Sequence, residues 1–202
     1  MTPPPTASTT QPTLETPRLR LRPFALADAP EVERLAGARE VADTTLNIPH
    51  PYPDGAAAMW IATHAPAWAA GEGVTYAITA AGGPPDGAPD AGGLLGAVSL
   101  VLAPAHSAAE LGYWVAAPAW GRGYATEAAA ALCAYAFAAL GVHRIEARHL
   151  LRNPASGRVM QKLGMRREGV LRDAVRKWDR FEDLALYAVL APEWHAREGR
   201  LA

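Results

Sequence analysis

The sequence holds one cysteine, Cys133, in 202 residues. An internal disulfide is therefore excluded, and no Cys/His spacing of the zinc-binding kind occurs. Excess charge of one sign is also missing. The 19 Lys and Arg stand against 20 Asp and Glu, a formal net charge of −1. No basic surplus announces a nucleic-acid partner, and no acidic surplus announces a solvated tail. Prolines and charges interrupt every apolar stretch before it reaches the roughly 18 residues of a membrane span. These absences predict a cytoplasmic chain with no nucleic acid, membrane or metal among its partners. The length suits one domain with a full core and is short for two.

What is present is alternation broken by turn residues. "RLRLRPF" at 18–24 sets Leu19 and Leu21 on one face and Arg18, Arg20 and Arg22 on the other, a strand with a solvated arginine row. Asp28 is placed to cap a helix over 29–38. The proline-rich 47–55 segment is a loop, and Asp54 is expected to cap a helix over 55–71 in which His64 is half exposed. Strands follow at 74–80, 94–102 and 108–116, the first two joined by the Gly/Pro loop 81–93. A helix over about 122–140 ends at Gly141. A strand at 143–150 leads to a helix over 153–164, with Asn153 as its cap, Pro154 in its first turn and Gly164 as its stop. A strand at 165–171, a polar connection at 175–183 and a strand at 184–191 complete the chain. Residues 1–13, "MTPPPTASTTQPT", lack the apolar core of an export signal and are expected to be a disordered tail, with 193–202 a short C-terminal tail.

Gly121-Arg122-Gly123 lies between a strand and a helix. Glycines there let the chain curl tightly and let an anion approach main-chain N–H groups at the positive end of the helix dipole. A Walker loop is excluded, since no Gly-Lys-Ser/Thr follows. The dinucleotide fingerprint fails as well, because Thr126 stands where Gly or Ala belongs and the preceding strands look antiparallel.

"WGRGYATEA" (120–128) resembles the acetyl-CoA pyrophosphate loop of the GNAT N-acetyltransferases, with Trp120 in place of the usual Gln or Arg and with Gly123 and Ala125 as anchors. With "ELGYWV" upstream, it is similar to the ribosomal-protein N-terminal acetyltransferase (RimJ/RimL-type) branch. "LETPRLRLRPF" (14–24), "NPASGRVMQKLGM" (153–165) and "DRFEDLALYAVL" (179–190) resemble three further segments of that branch, in order. The resemblance implies one GNAT domain over 14–192. Its α/β fold would have a mixed, mostly antiparallel sheet of six to seven strands flanked by about four helices.

The resemblance also implies the chemistry: transfer of acetyl from acetyl-CoA to a primary amine, a protein N-terminus or a small molecule, by direct attack in a ternary complex. Backbone amides of Trp120, Gly121, Arg122, Gly123, Tyr124, Ala125 and Thr126 would hold the pyrophosphate, with Arg122 adding charge. Val115 would pair with the pantetheine and turn its N–H to the thioester carbonyl. Two neighbouring strands would splay to admit the arm. Asn153 would hydrogen-bond the pantetheine, and Ser156 would give a proton to the leaving thiolate. Glu110 is the candidate base, ahead of Asp173 and Asp183, while Glu127 complements the helix dipole. Cys133 is expected to be a core residue, and no metal is required. Family members often form homodimers. The rival reading is a GNAT-fold module that binds a CoA thioester without catalysis.

Overall fold

The computed structural model describes residues 10–82 and 93–198. The expected 1–13 tail and the 81–93 loop thus fall largely outside the described residues. Gln11 is described, and it is buried, its Nε2 donating to Thr75 O at 2.9 Å.

The strands are β1 (Leu14–Glu15), β2 (Leu19–Pro23), β3 (Gly73–Ala80), β4 (Leu94–Ala103), β5 (Ala108–Val115), β6 (Arg144–Leu150), β7 (Arg166–Lys177) and β8 (Arg180–Leu190). They form one sheet in the order β1-β2-β3-β4-β5-β6-β8-β7. Every neighbouring pair is antiparallel except β5–β6. A parallel pair needs a crossover, and the long helix α5 (Tyr124–Ala139) supplies it. The mixed sheet is as expected. Its finer count is eight strands with seven α-helices among the described residues.

The other helices are α1 (Ala29–Ala36), α2 (Arg39–Thr44), α3 (Ala56–Ala62), α4 (His64–Ala70), α6 (Pro154–Lys162) and α7 (Ala191–Glu198). Strand alternation gives two cores. On one face Ala109, Leu111 and Val115 of β5 and Ile145 and Ala147 of β6 meet Ala128, Ala129, Leu132, Cys133 and Ala136 of α5. The small residues of α5 let the helix lie close to the sheet. On the other face Trp114 packs with Val32 and Leu35 of α1, Val41 of α2 and Ile61 of α3.

Several local expectations are corrected. Asp28 holds the N-cap position of α1 as expected, but its side chain makes no cap bond there; the carboxylate takes both Nη atoms of Arg22 at 2.7 Å and the Ala25 N–H at 2.8 Å. Asp54 is not the cap of α3, since the left-handed Gly55 (φ 75°) holds that position. The single helix expected over 55–71 breaks at Thr63 into α3 and α4, and α4 ends at Gly71 as expected. His64 is buried, not half exposed. The arginine row is not merely solvated: Arg18, Arg20 and Arg22 meet Glu127, Glu15 and Asp28. The polar connection at 175–183 is the turn of the β7–β8 hairpin, with Arg176 opposite Phe181 and Lys177 opposite Arg180. Both faces of this hairpin end are largely exposed, so no apolar alternation marked it. The 193–202 segment begins inside α7, where Trp194 is buried.

β7 is an outer strand of the sheet, and its register shifts twice, between Arg167 and Gly169 and between Leu171 and Val175. Asp173, inside the second shift, has φ 48°. The other outer strand, β1, is two residues long.

Candidate active site

The sheet forks between β5 and β6. Their pairing runs from Ala108–Arg144 to Leu111–Ala147 and stops. Beyond it, β5 stays on β4 as far as Val115–Gly96, and β6 stays on β8 as far as Leu150–Leu184. Each arm is therefore held on its outer side and open on its inner side.

The register fixes which backbone groups face the opening. Ala116 N–H donates to Leu95 O at 2.8 Å, so Val115 and Gly96 form a non-hydrogen-bonded pair. The N–H and C=O of Val115 consequently turn from β4 toward the fork, and those of Tyr113, two residues back, do the same. Close approach demands glycine at 96: a Cβ there would lie 2.1 Å from Trp114 O and 2.9 Å from Val115 Cα. The Val115 carbonyl is engaged by the indole N–H of Trp120, with Nε1 2.6 Å away. Sequence reasoning gave Trp120 only a backbone role and missed this brace.

The turn ahead of α5 has Gly121 at φ 75° and Gly123 at φ 82°. The first helical bond from the turn runs from Glu127 N–H to Gly123 O, and Gly123 supplies no side-chain cap. The N–H groups of Tyr124, Ala125 and Thr126 therefore lead the helix with no intrahelical acceptor, at the positive end of its dipole. This is the chemistry of an anion cradle.

The cradle is braced from β1–β2. Arg18 Nη1 donates to Arg122 O at 3.0 Å, and Arg18 Nε donates to Glu127 Oε2 at 2.7 Å. Glu127 Oε1 also accepts from Thr16 Oγ1 at 2.6 Å and from Arg18 N–H at 3.0 Å. Partial burial pushes the Glu127 carboxyl upward, yet the Thr16 and Arg18 bonds outweigh it and leave the group below its ordinary value. Glu127 is thus a clamp as well as a dipole complement. No local sequence signal links residues about 110 positions apart.

Across the fork, Asn153 caps α6 as expected: Oδ1 accepts from Ser156 N–H at 3.3 Å. Its Nδ2 donates to Thr44 O at 3.1 Å, tying α6 to the end of α2. Ser156 Oγ lies 2.8 Å from the Tyr113 hydroxyl, which is also 3.1 Å from Ser156 O. Burial pushes the Tyr113 phenol up to about 12, so it stays protonated. Tyr113 was not singled out from the sequence, although its place two residues before Val115 on the same strand face was readable.

Val115, Tyr113 and Ser156 are therefore brought together at the fork, and Trp120 links them to the cradle. Glu110 is not brought there. It lies in the still-paired part of β5, five residues before Val115, or about 16 Å along the strand. It joins a charge row in which Arg148 Nη2 is 3.7 Å from Glu110 and 2.9 Å from Glu146. Asp173 and Asp183 meet each other instead, Asp173 N–H donating to Asp183 Oδ1 at 2.9 Å. Cys133 is fully buried, and burial pushes its thiol up to about 12, which makes it a poor nucleophile.

A cleft of ≈ 670 Å³ opens between α2 and the β7–β8 turn, lined by Glu40, Asp43, Lys177 and Trp178 among others. It adjoins the α6 cap, for Arg152 bridges Asp43 at 3.0 Å and Glu182 at 2.8 Å. Lys177 is buried, and its Nζ donates to Ile48 O at 3.0 Å, pinning the 45–50 loop to the hairpin. Among the described residues no His, Cys, Asp and Glu group could hold a metal ion, and no helix is long and apolar enough to cross a membrane.

A family model described as the acetyltransferase (GNAT) domain matches residues 18–166. Among curated proteins, the Uncharacterized N-acetyltransferase YnaD of Bacillus subtilis (strain 168) is 42% identical over 83 residues, 41% of this chain and 49% of that protein. Such matches span about half the length of the curated relatives. Among solved structures, RimL, a ribosomal L7/L12 alpha-N-protein acetyltransferase in complex with coenzyme A, superposes with TM-score 0.77 at 17% identity, covering 89% of this chain and 98% of that one. The spermidine N-acetyltransferase of Vibrio cholerae, in complex with CoA and spermine, gives 0.74 at 19% identity, covering 89% and 99%. At these identities the two structures share the fold.

Proposed function

The chain belongs to the acetyltransferase (GNAT) family, and from that premise we propose that it transfers acetyl from acetyl-CoA to a primary amine by direct attack. The observation that carries this reading is the coincidence of a forked β5–β6 pair with an uncapped helix N-terminus joined to it through Trp120. A phosphate-bearing thioester has a place for each end in that arrangement.

In this reading the N–H groups of Tyr124, Ala125 and Thr126 hold the pyrophosphate, the Gly121–Gly123 backbone curls around it, and Arg122 adds charge from the exposed side. The pantetheine lies along the inner edge of β5, near Asn153, with Val115 N–H donating to the thioester oxygen. That donor stabilises the oxyanion as the carbonyl carbon becomes tetrahedral. The amine attacks as the free base, the C–N bond forms, the C–S bond breaks, and Ser156 Oγ–H meets the sulfur as its charge develops. The strand distance leaves Glu110 no direct reach, so its part is to receive the amine's proton through water. The sealed Cys133 thiol favours direct transfer over an acyl-enzyme.

The acceptor enters by the α2/β7–β8 cleft, whose neighbours include the α6 cap. The acceptor is a protein N-terminus of the ribosomal type or a small-molecule amine. The motif likeness at 120–128 and 153–165 to the RimJ/RimL branch supports the former, and the polyamine named for the Vibrio cholerae neighbour illustrates the latter. The test is release of free thiol from acetyl-CoA against a panel of peptide N-termini and small amines, with the products weighed by mass spectrometry. Acetylated product with matching thiol release is expected. CoA binding without transfer across the panel would favour the non-catalytic module.

A further inference from the structure

The Tyr113–Ser156 hydrogen bond joins the two arms of the fork, because Tyr113 lies on β5 beyond its last β6 partner and Ser156 follows β6 through the 151–153 turn. A phenol has one proton to give, and here it has two acceptors, Ser156 O at 3.1 Å and Ser156 Oγ at 2.8 Å. If it points to the carbonyl, the serine proton is free to point back at the phenol oxygen. If it points to Oγ, the serine proton is displaced and turns to whatever lies in the fork.

We propose that Tyr113 is the positioning residue for Ser156, donating to Oγ so that the serine proton is directed at the leaving sulfur. This rests on the assignment of Ser156 as donor to the thiolate. A negative sulfur in the fork selects the second arrangement, and two donors in series polarise one another, so the serine becomes the stronger donor. Burial of the phenol keeps it protonated through the cycle. Tyr113 itself loses no net proton: the C–N bond forms as the C–S bond breaks, the amine's proton leaves through water to Glu110, and the sulfur takes one from the serine side, which solvent restores.

The experiment compares Tyr113→Phe, Ser156→Ala and the double variant in the full chain. Turnover with the acceptor is one readout. The titration of bound CoA thiol, followed by thiolate ultraviolet absorbance, is another and needs no acceptor. Tyr113→Phe is expected to lower kcat up to about tenfold, the upper weight of one ordinary net hydrogen bond, with KM for acetyl-CoA and Tm near wild type. It is expected to raise the bound thiol's titration. In the Ser156→Ala background it should change neither quantity further. Wild-type turnover and titration in Tyr113→Phe would overturn the proposal, as would a loss that adds in full to that of Ser156→Ala. A Tyr113→Phe protein with lowered Tm but unmoved thiol titration would also overturn it, reducing the residue to packing. If Ser156→Ala alone leaves turnover and titration unchanged, the assignment of Ser156 falls first.

Discussion

His64→Phe should remove a large part of the protein's sensitivity to mild acid. His64 packs against Trp60, with ring centroids 4.4 Å apart, and against Phe24 at 5.4 Å. Among the described residues neither ring nitrogen has a hydrogen-bond partner. Burial pushes the imidazole from 6.5 down to about 4. The folded protein thus keeps the ring neutral while the unfolded chain protonates it, so stability is full above the unfolded value and falls as pH drops from 6.5 toward 4. At about pH 5 the linkage amounts to ~2 kcal/mol, and it levels off near ~3 kcal/mol once the folded ring titrates too. For a chain of this length ~2 kcal/mol is roughly 4–8 °C in Tm. A phenyl ring fits the same aromatic setting and has no proton to take. The Tm of both proteins would be measured from about pH 8 to about pH 5. Carboxylate titrations are common to both and cancel, so the variant's advantage should grow by about 2 kcal/mol across that range. Parallel curves would show that the imidazole titrates freely in the fold and would refute the reasoning.

Gly123→Glu should abolish CoA binding, since a side chain at φ 82° and a negative charge both enter the cradle; calorimetry giving wild-type affinity would displace the pyrophosphate from this turn. Trp120→Phe keeps the ring but loses the donor to Val115 O, so kcat should fall several-fold while CoA affinity stays within about twofold; equal kinetics would make the brace incidental. Glu127→Gln weakens the clamp on Thr16 and Arg18 and should cost about 1–2 kcal/mol near neutral pH by denaturant titration. Because the Glu127 carboxyl sits below its ordinary value when folded, that deficit should shrink as pH falls below 4.5, and a deficit independent of pH would contradict the assignment.

Much of this was readable because the signals were local. Gly141 and Gly164 end α5 and α6 at left-handed positions, and Asn153 caps α6, as their residue types require. The turn at 121–123 was legible as a turn, and Gly121 and Gly123 both take the left-handed conformation their residue type allows. What stayed hidden was set by partners far along the chain. Arg18 looks like any strand-face arginine until Glu127 is beside it. Glu110 shares a strand with Val115, and only the point where β5 leaves β6 shows that it acts at a distance if it acts at all. His64 looked exposed because helix periodicity does not report Phe24. The β7–β8 end alternates too weakly to be a strand by pattern, and its pairing comes from the hairpin itself.

The two outer strands of the sheet have a consequence for how copies of this protein meet. An open sheet edge is a template that invites another chain to add a strand, and long flat edges lead to runaway stacking. Here one edge is two residues long and the other is kinked twice, with Asp173 turned into a left-handed conformation at the second kink. Among the described residues, a continuous ladder of main-chain bonds finds no long run of regular backbone to grow on at either side. The forked strands lie in the middle of the order, shielded by these blunted margins. The opening proposed to hold the thioester is thus kept apart from the edges where self-association would begin.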